Sequence, residues 1–143
     1  MKRFKTYEEI EELVRTFEAA TISRDVWKHP QHLAVALYYI AHNGPDAATE
    51  KMRSGIFKLL KDGFGLDLSK EMPYHETMTI FWMRTVDNYF RTTNVGSLLD
   101  KANDLVERYD KNYPLKFYSR ELLFSDEARI SYVAADLDKG DDQ

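Results

Sequence analysis

A chain of 143 residues is the size of a single domain, and 43% hydrophobic with 31% charged residues is the balance of a core-forming globular protein, which excludes a disordered one. A net charge of −4 and a pI near 5.6 remove the general attraction to phosphate backbones, so no nucleic-acid partner is expected. The lack of cysteine excludes disulfides, thiolate metal sites and cysteine nucleophiles, and points to a cytoplasmic setting.

The N-terminal MKRFKTYEEIEEL turns acidic where an export signal needs an apolar core. The spacing then predicts a first helix from Thr6, where T-Y-E-E sets Glu9 three residues after a capping hydroxyl. Tyr7, Ile10, Leu13 or Val14, and Phe17 form its apolar stripe. A second helix begins near His29, with Pro30 in the first turn, and ends at the Asn43-Gly44-Pro45 breaker. Apolar residues cover nearly every side of it, which predicts the most enclosed helix. Its run from Leu33 to Ala41 is far short of the roughly 20 residues that cross a bilayer, so no membrane span is expected.

A third helix is expected from about Asp46 to Gly63, with Ala48, Met52, Ile56, Leu59 and Leu60 inward. Gly55 within it costs about 1 kcal/mol relative to Ala, which implies close approach of a neighbour. A fourth, from about Tyr74 to Thr92, carries Met78, Trp82, Val86 and Tyr89 on one stripe, and Ser97 caps a fifth. After Pro114, YSRELLF and SDEARISYV read as two short helices, each opened by a serine. No strand alternation is sustained. The expected fold is all-α: a single-domain bundle of four or five main helices plus short C-terminal helices over residues 1–135, followed by an acidic flexible tail at 136–143.

Chemistry is expected at the histidines. His29 and His32, three apart, project from nearly one helix face, and His75 lies on the apolar stripe of the fourth helix, so all three point inward at helix beginnings. Three imidazoles are a sufficient shell for Zn²⁺, or for Mn²⁺, Fe²⁺ or Ni²⁺ if a carboxylate joins, with an open water position. Glu76 is the adjacent carboxylate, able to ligate or, with His75, to transfer a proton. The same imidazoles can equally act as struts, giving their N–H groups to Tyr, Thr or backbone acceptors. Arg53 and Arg84 interrupt apolar stripes, and a guanidinium facing a pocket there would recognise a carboxylate or phosphate. Tyr118, Ser119, Arg120 and Arg129 are expected to fold over the histidine end as a lid.

The stretches W-x-H-x-x-H-L at 27–33, Y-H-E-T-M-T at 74–79 and Y-S-R-E-L-L-F-S-D-E-A-R at 118–129 together resemble a family of small uncharacterised bacterial proteins. The resemblance implies no established activity. It singles out Trp27, His29, His32, His75, Glu76, Thr77 and Arg129, and of these Trp27, Thr77 and Arg129 join Arg53 as candidate ligand contacts. Two functions are thus expected from the sequence: a small-molecule or metal-dependent site at one end of a helical bundle, or an interaction module, including a homodimer, whose histidines are internal struts.

Overall fold

Thr6 opens the first helix, α1 (Tyr7–Glu18), by accepting the backbone N–H of Glu9 at 3.1 Å, while the Glu9 carboxylate reaches back to the N–H of Lys5 at 3.0 Å. In this computed structural model, which describes residues 3–137, the reciprocal cap forms as expected but closes one residue earlier on its second arm. Ile10, Leu13, Val14 and Phe17 are buried along one stripe. Helix α2 (His29–Asn43) buries Leu33 through Leu37 without a break, then Tyr39 and Ile40, and packs against α1, α3, α4 and α5. It is the central rod of the bundle, as its all-round apolarity predicts.

Gly44, at φ +81°, separates α2 from α3 (Pro45–Lys58) with a single residue. That left-handed joint suits glycine, and Pro45 starts the next helix with its φ already set. Such a short joint folds α3 directly back on α2. The expected single helix to Gly63 instead widens after Lys58 into a π turn, Leu59–Gly63, closed by Phe64 N–H on the Leu59 carbonyl at 2.8 Å. Both leucines of that turn are buried, and Gly63 is pressed so close to the backbone just after α1 that a Cβ there would lie 2.7 Å from the Ala20 carbonyl oxygen.

Helix α4 (Glu76–Thr92) follows an extended connection, and α5 (Leu98–Arg108) is capped by Ser97, whose hydroxyl accepts Asp100 N–H at 3.0 Å. Buried Asn103 of α5 ties down the chain start, accepting Phe4 N–H at 2.8 Å and donating to the Phe4 carbonyl at 2.9 Å. A 3₁₀ turn (Tyr113–Lys116) leads to α6 (Arg120–Leu123) and α7 (Asp126–Ile130), capped by Ser119 and Ser125 as expected. Among the described residues there are seven α-helices and no strand, which makes the fold all-α. No helix among them is long and apolar enough to cross a membrane.

Two hydrophobic centres result. The main core lies among α1 to α5, and a smaller one, Phe117, Tyr118 and Leu123, is joined to it through Met78, Phe81 and Tyr113. From the acidic tail expected at 136–143, Asp136 and Leu137 are anchored: the Asp136 carboxylate accepts Ser119 N–H and Oγ–H at 2.7 and 2.6 Å, and Leu137 N–H donates to the Phe117 carbonyl at 2.9 Å. The rest of that tail lies outside the described residues.

Gly55 faces the ring of Phe17, which is itself stacked on Trp27 at 4.7 Å. An added Cβ at residue 55 falls far inside contact distance of the ring edge, and the stacked indole leaves that ring little room to retreat. Gly55→Ala is therefore expected to destabilise the protein by about 1–2 kcal/mol, because overpacking outweighs the roughly 1 kcal/mol that alanine adds to helix propensity. Urea denaturation checks this, and an unchanged or raised midpoint would show that Phe17 yields.

Candidate functional site

The most developed cavity, about 860 Å³, opens between α3, the connection before α4, the start of α4, and the α6–α7 pair. Its floor is charged. Arg53 of α3 clamps Glu76, the first residue of α4, with Nε to Oε1 at 3.0 Å and Nη2 to Oε2 at 2.7 Å, and its Nη1 also binds Glu50. The Tyr74 hydroxyl donates to the same Glu76 Oε1 at 2.6 Å, and its ring packs on Phe57 at 4.6 Å. Bonding to Arg53 holds the Glu76 carboxyl below its ordinary range, and burial next to Glu76 pushes the Tyr74 phenol up to about 12. Glu76 is thus an ionised, three-times-bonded carboxylate; in this geometry it orients Arg53 and is a poor proton acceptor.

The walls are apolar and open. Met72, Phe124 and Ile130 are 42%, 50% and 80% exposed, three large hydrophobic side chains gathered on one cavity beside Phe57. Arg129 of α7 completes the rim, its Nη2 donating to the Met72 carbonyl at 2.7 Å. No carboxylate among the described residues pairs with it, although Asp126 lines the same cavity. Arg53, Glu76 and Arg129, distant in sequence, are therefore brought to one place.

The three imidazoles are not. His75 caps α4: its Nδ1 accepts Met78 N–H at 3.1 Å, which places the proton on Nε2, and Nε2 donates to the Leu123 carbonyl at 2.6 Å. Both ring nitrogens are spent on the fold. His29 sits two helical turns further along α4, its ring against Trp82 at 4.8 Å and its Nε2 bonded to the Tyr109 carbonyl at 2.8 Å. His32 lies under Trp27 at 5.4 Å between ring centroids, and its ring has no hydrogen bond among the described residues. No group of three or more His, Asp or Glu among the described residues is arranged to hold a metal ion. The expected His29/His32/His75 metal centre is corrected accordingly: a capping role turns the His75 ring back onto its own helix and the C-terminal segment, away from α2. Of the pair expected to transfer a proton, His75 is bonded to Met78 and Leu123 and Glu76 to Arg53 and Tyr74.

Burial lowers the pKa of all three, and takes His32 down to about 4, so each is neutral in the native protein near pH 7. Of the other candidates, Trp27 is enclosed between Phe17 and His32, away from the cavity. Thr77 is fully buried; its Oγ1 donates to the Ser131 carbonyl and accepts Val133 N–H, both at 3.1 Å. It pins the segment after α7. Of the residues expected to fold over the histidine end, Tyr118 and Ser119 anchor Val133 and Asp136 and Arg129 binds the Met72 carbonyl, while Leu123 and Phe124 are the C-terminal residues that meet His75. Sequence reasoning missed Phe57, Met72, Phe124 and Asp126. The signal for Phe124 was its position between two serine-capped short helices, where a large apolar residue has no helix face to join.

Comparison with family models, with curated proteins and with solved structures gives no match.

Proposed function

We propose that the protein binds a small amphipathic molecule in the cavity above the Arg53–Glu76–Tyr74 network. The observation that carries this reading is the meeting of three exposed large hydrophobic side chains with an arginine, Arg129, that no carboxylate among the described residues engages. The ligand's apolar part lies on Phe57, Met72, Phe124 and Ile130, and its anionic head takes the remaining donors of Arg129. Arg53 and Glu76 form a rigid polar floor that resists collapse of the cavity. The cysteine-free composition and the motif resemblance fit a bacterial cytoplasmic protein.

A second reading draws on the 80% exposure of Ile130: the same apolar rim serves as an interface with a partner or a second copy of the chain. Octanoate is the discriminating probe. Binding by ligand-observed NMR, with at least a tenfold loss in Arg129→Gln and little change on octanol replacing octanoate in that variant, supports the cavity reading. No octanoate binding at millimolar concentration, together with a dimer by analytical ultracentrifugation that Ile130→Ser converts to monomer, supports the interface instead.

A further inference from the structure

A second cavity, about 480 Å³, opens on another face, between α4, the 3₁₀ turn and the segment after α7. Its walls are rings. Tyr109 and Tyr113 meet edge to face at 4.7 Å, Tyr113 meets Phe117 at 5.2 Å, and Phe81 lies 5.8 Å from Tyr113. Arg84 is the only charged side chain lining it among the described residues. Its guanidinium lies over the Tyr132 ring, with Cζ 4.5 Å from the centroid, and Nη1 donates to the Tyr132 hydroxyl at 3.0 Å. No carboxylate among the described residues pairs with Arg84.

We propose that this cavity is a binding site for a planar aromatic carboxylate. Walls already packed edge to face accept one more flat ring by the same quadrupole geometry, whereas a saturated ring of equal bulk gains no such contact. Stacking on Tyr132 fixes the guanidinium plane and leaves in-plane N–H groups directed at a planar two-oxygen acceptor. One guanidinium with no carboxylate partner among the described residues matches one negative charge; a doubly charged phosphate would stay half uncompensated. The phenols of Tyr109 and Tyr113 have no hydrogen-bond partner among the described residues and are spare donors at the opposite wall. The Tyr132 wall is also pre-formed, since the backbone on both sides of it is held by Thr77 and by the Tyr118 hydroxyl on the Val133 carbonyl at 2.6 Å.

The probe is 1-naphthoate, titrated into the full chain and followed by the aromatic NMR signals of tyrosine and phenylalanine. The expected result is saturable shifts of Tyr109, Tyr113 and Tyr132, with at least tenfold weaker binding of the fully saturated decahydro-acid and of uncharged 1-naphthol. Arg84→Gln is expected to weaken 1-naphthoate at least tenfold, and Arg84→Lys less, both at an unchanged melting temperature because Arg84 is exposed. Arg129→Gln, in the other cavity, leaves the 1-naphthoate shifts of Tyr109, Tyr113 and Tyr132 unaltered. Equal affinity for the saturated acid, indifference to Arg84→Gln, no saturable binding, or shifts confined to Phe57 and Phe124 would each overturn the proposal.

Discussion

Arg53→Met is expected to destabilise the protein by about 2–3 kcal/mol, less than the roughly 3–5 kcal/mol that breaking a fully buried ion pair costs, because the two side chains keep 26% and 18% of their surface. The loss arises less from the missing attraction than from what remains: a Glu76 carboxylate that keeps only 18% of its side-chain surface, with only the Tyr74 hydroxyl to bind it. For a chain of this size that is a fall of roughly 5–12 °C in melting temperature. The double variant Arg53→Met with Glu76→Leu is expected to return to within about 1 kcal/mol of the parent, since the stranded charge is removed along with its partner. Chemical denaturation of the two single variants and the double variant gives the coupling directly. Additive losses would mean that the pair is solvated and that the cavity floor is not rigid.

Stability is also expected to fall as the pH is lowered from about 6.5 to about 4, and His32 contributes up to about 3 kcal/mol of that fall. The direction follows from which state holds the proton more tightly. An unfolded His32 protonates near its ordinary 6.5, whereas the native ring, desolvated and near His29, resists until about 4. Between those values acid therefore favours the unfolded chain. The contribution of His32 is fully present above 6.5 and is lost below 4. His29 and His75, lowered by burial, add in the same direction, and Glu76, whose pKa is depressed by Arg53, adds a further loss below about 4.5. Melting curves between pH 4 and 7.5 test this against His32→Phe, which keeps a ring under Trp27 but cannot protonate. The variant should show a shallower pH dependence above pH 4.5; an identical slope would falsify the assignment of the effect to His32.

The two effects bear on function differently. The Arg53–Glu76 pair shapes the proposed ligand cavity, so its rupture is expected to loosen binding as well as the fold. The neutral histidines stand behind the walls, where His29 braces Trp82 and Tyr109 and His75 fastens α4 to the C-terminal segment. The sequence-level alternative of histidines as struts accounts for both of these bonds.

How far the primary structure alone carries is clearest at the helix ends. Thr6, Ser97, Ser119 and Ser125 act as caps where local chemistry places them, and Gly44-Pro45 turns the chain where it must. These depend on neighbours three or four residues away, so the sequence by itself determined the helices, their order and the enclosure of α2. Gly55 was legible as a point of close approach, but only packing shows that its neighbour is Phe17. The π turn after Lys58 was not legible, because the partner packed against its Gly63, the Ala20 backbone, lies more than forty residues away in the chain. The tertiary structure alone decided which polar side chains meet. His75 has one spacing relation to α4 whether it enters the helix or caps it, yet the first turns its ring to the core and the second to Met78 and Leu123. Arg53 and Glu76, twenty-three residues apart, share a bond because α3 folds back beside α4. Periodicity encodes which face is buried; it contains no distance between two faces, and a binding site is built from those distances.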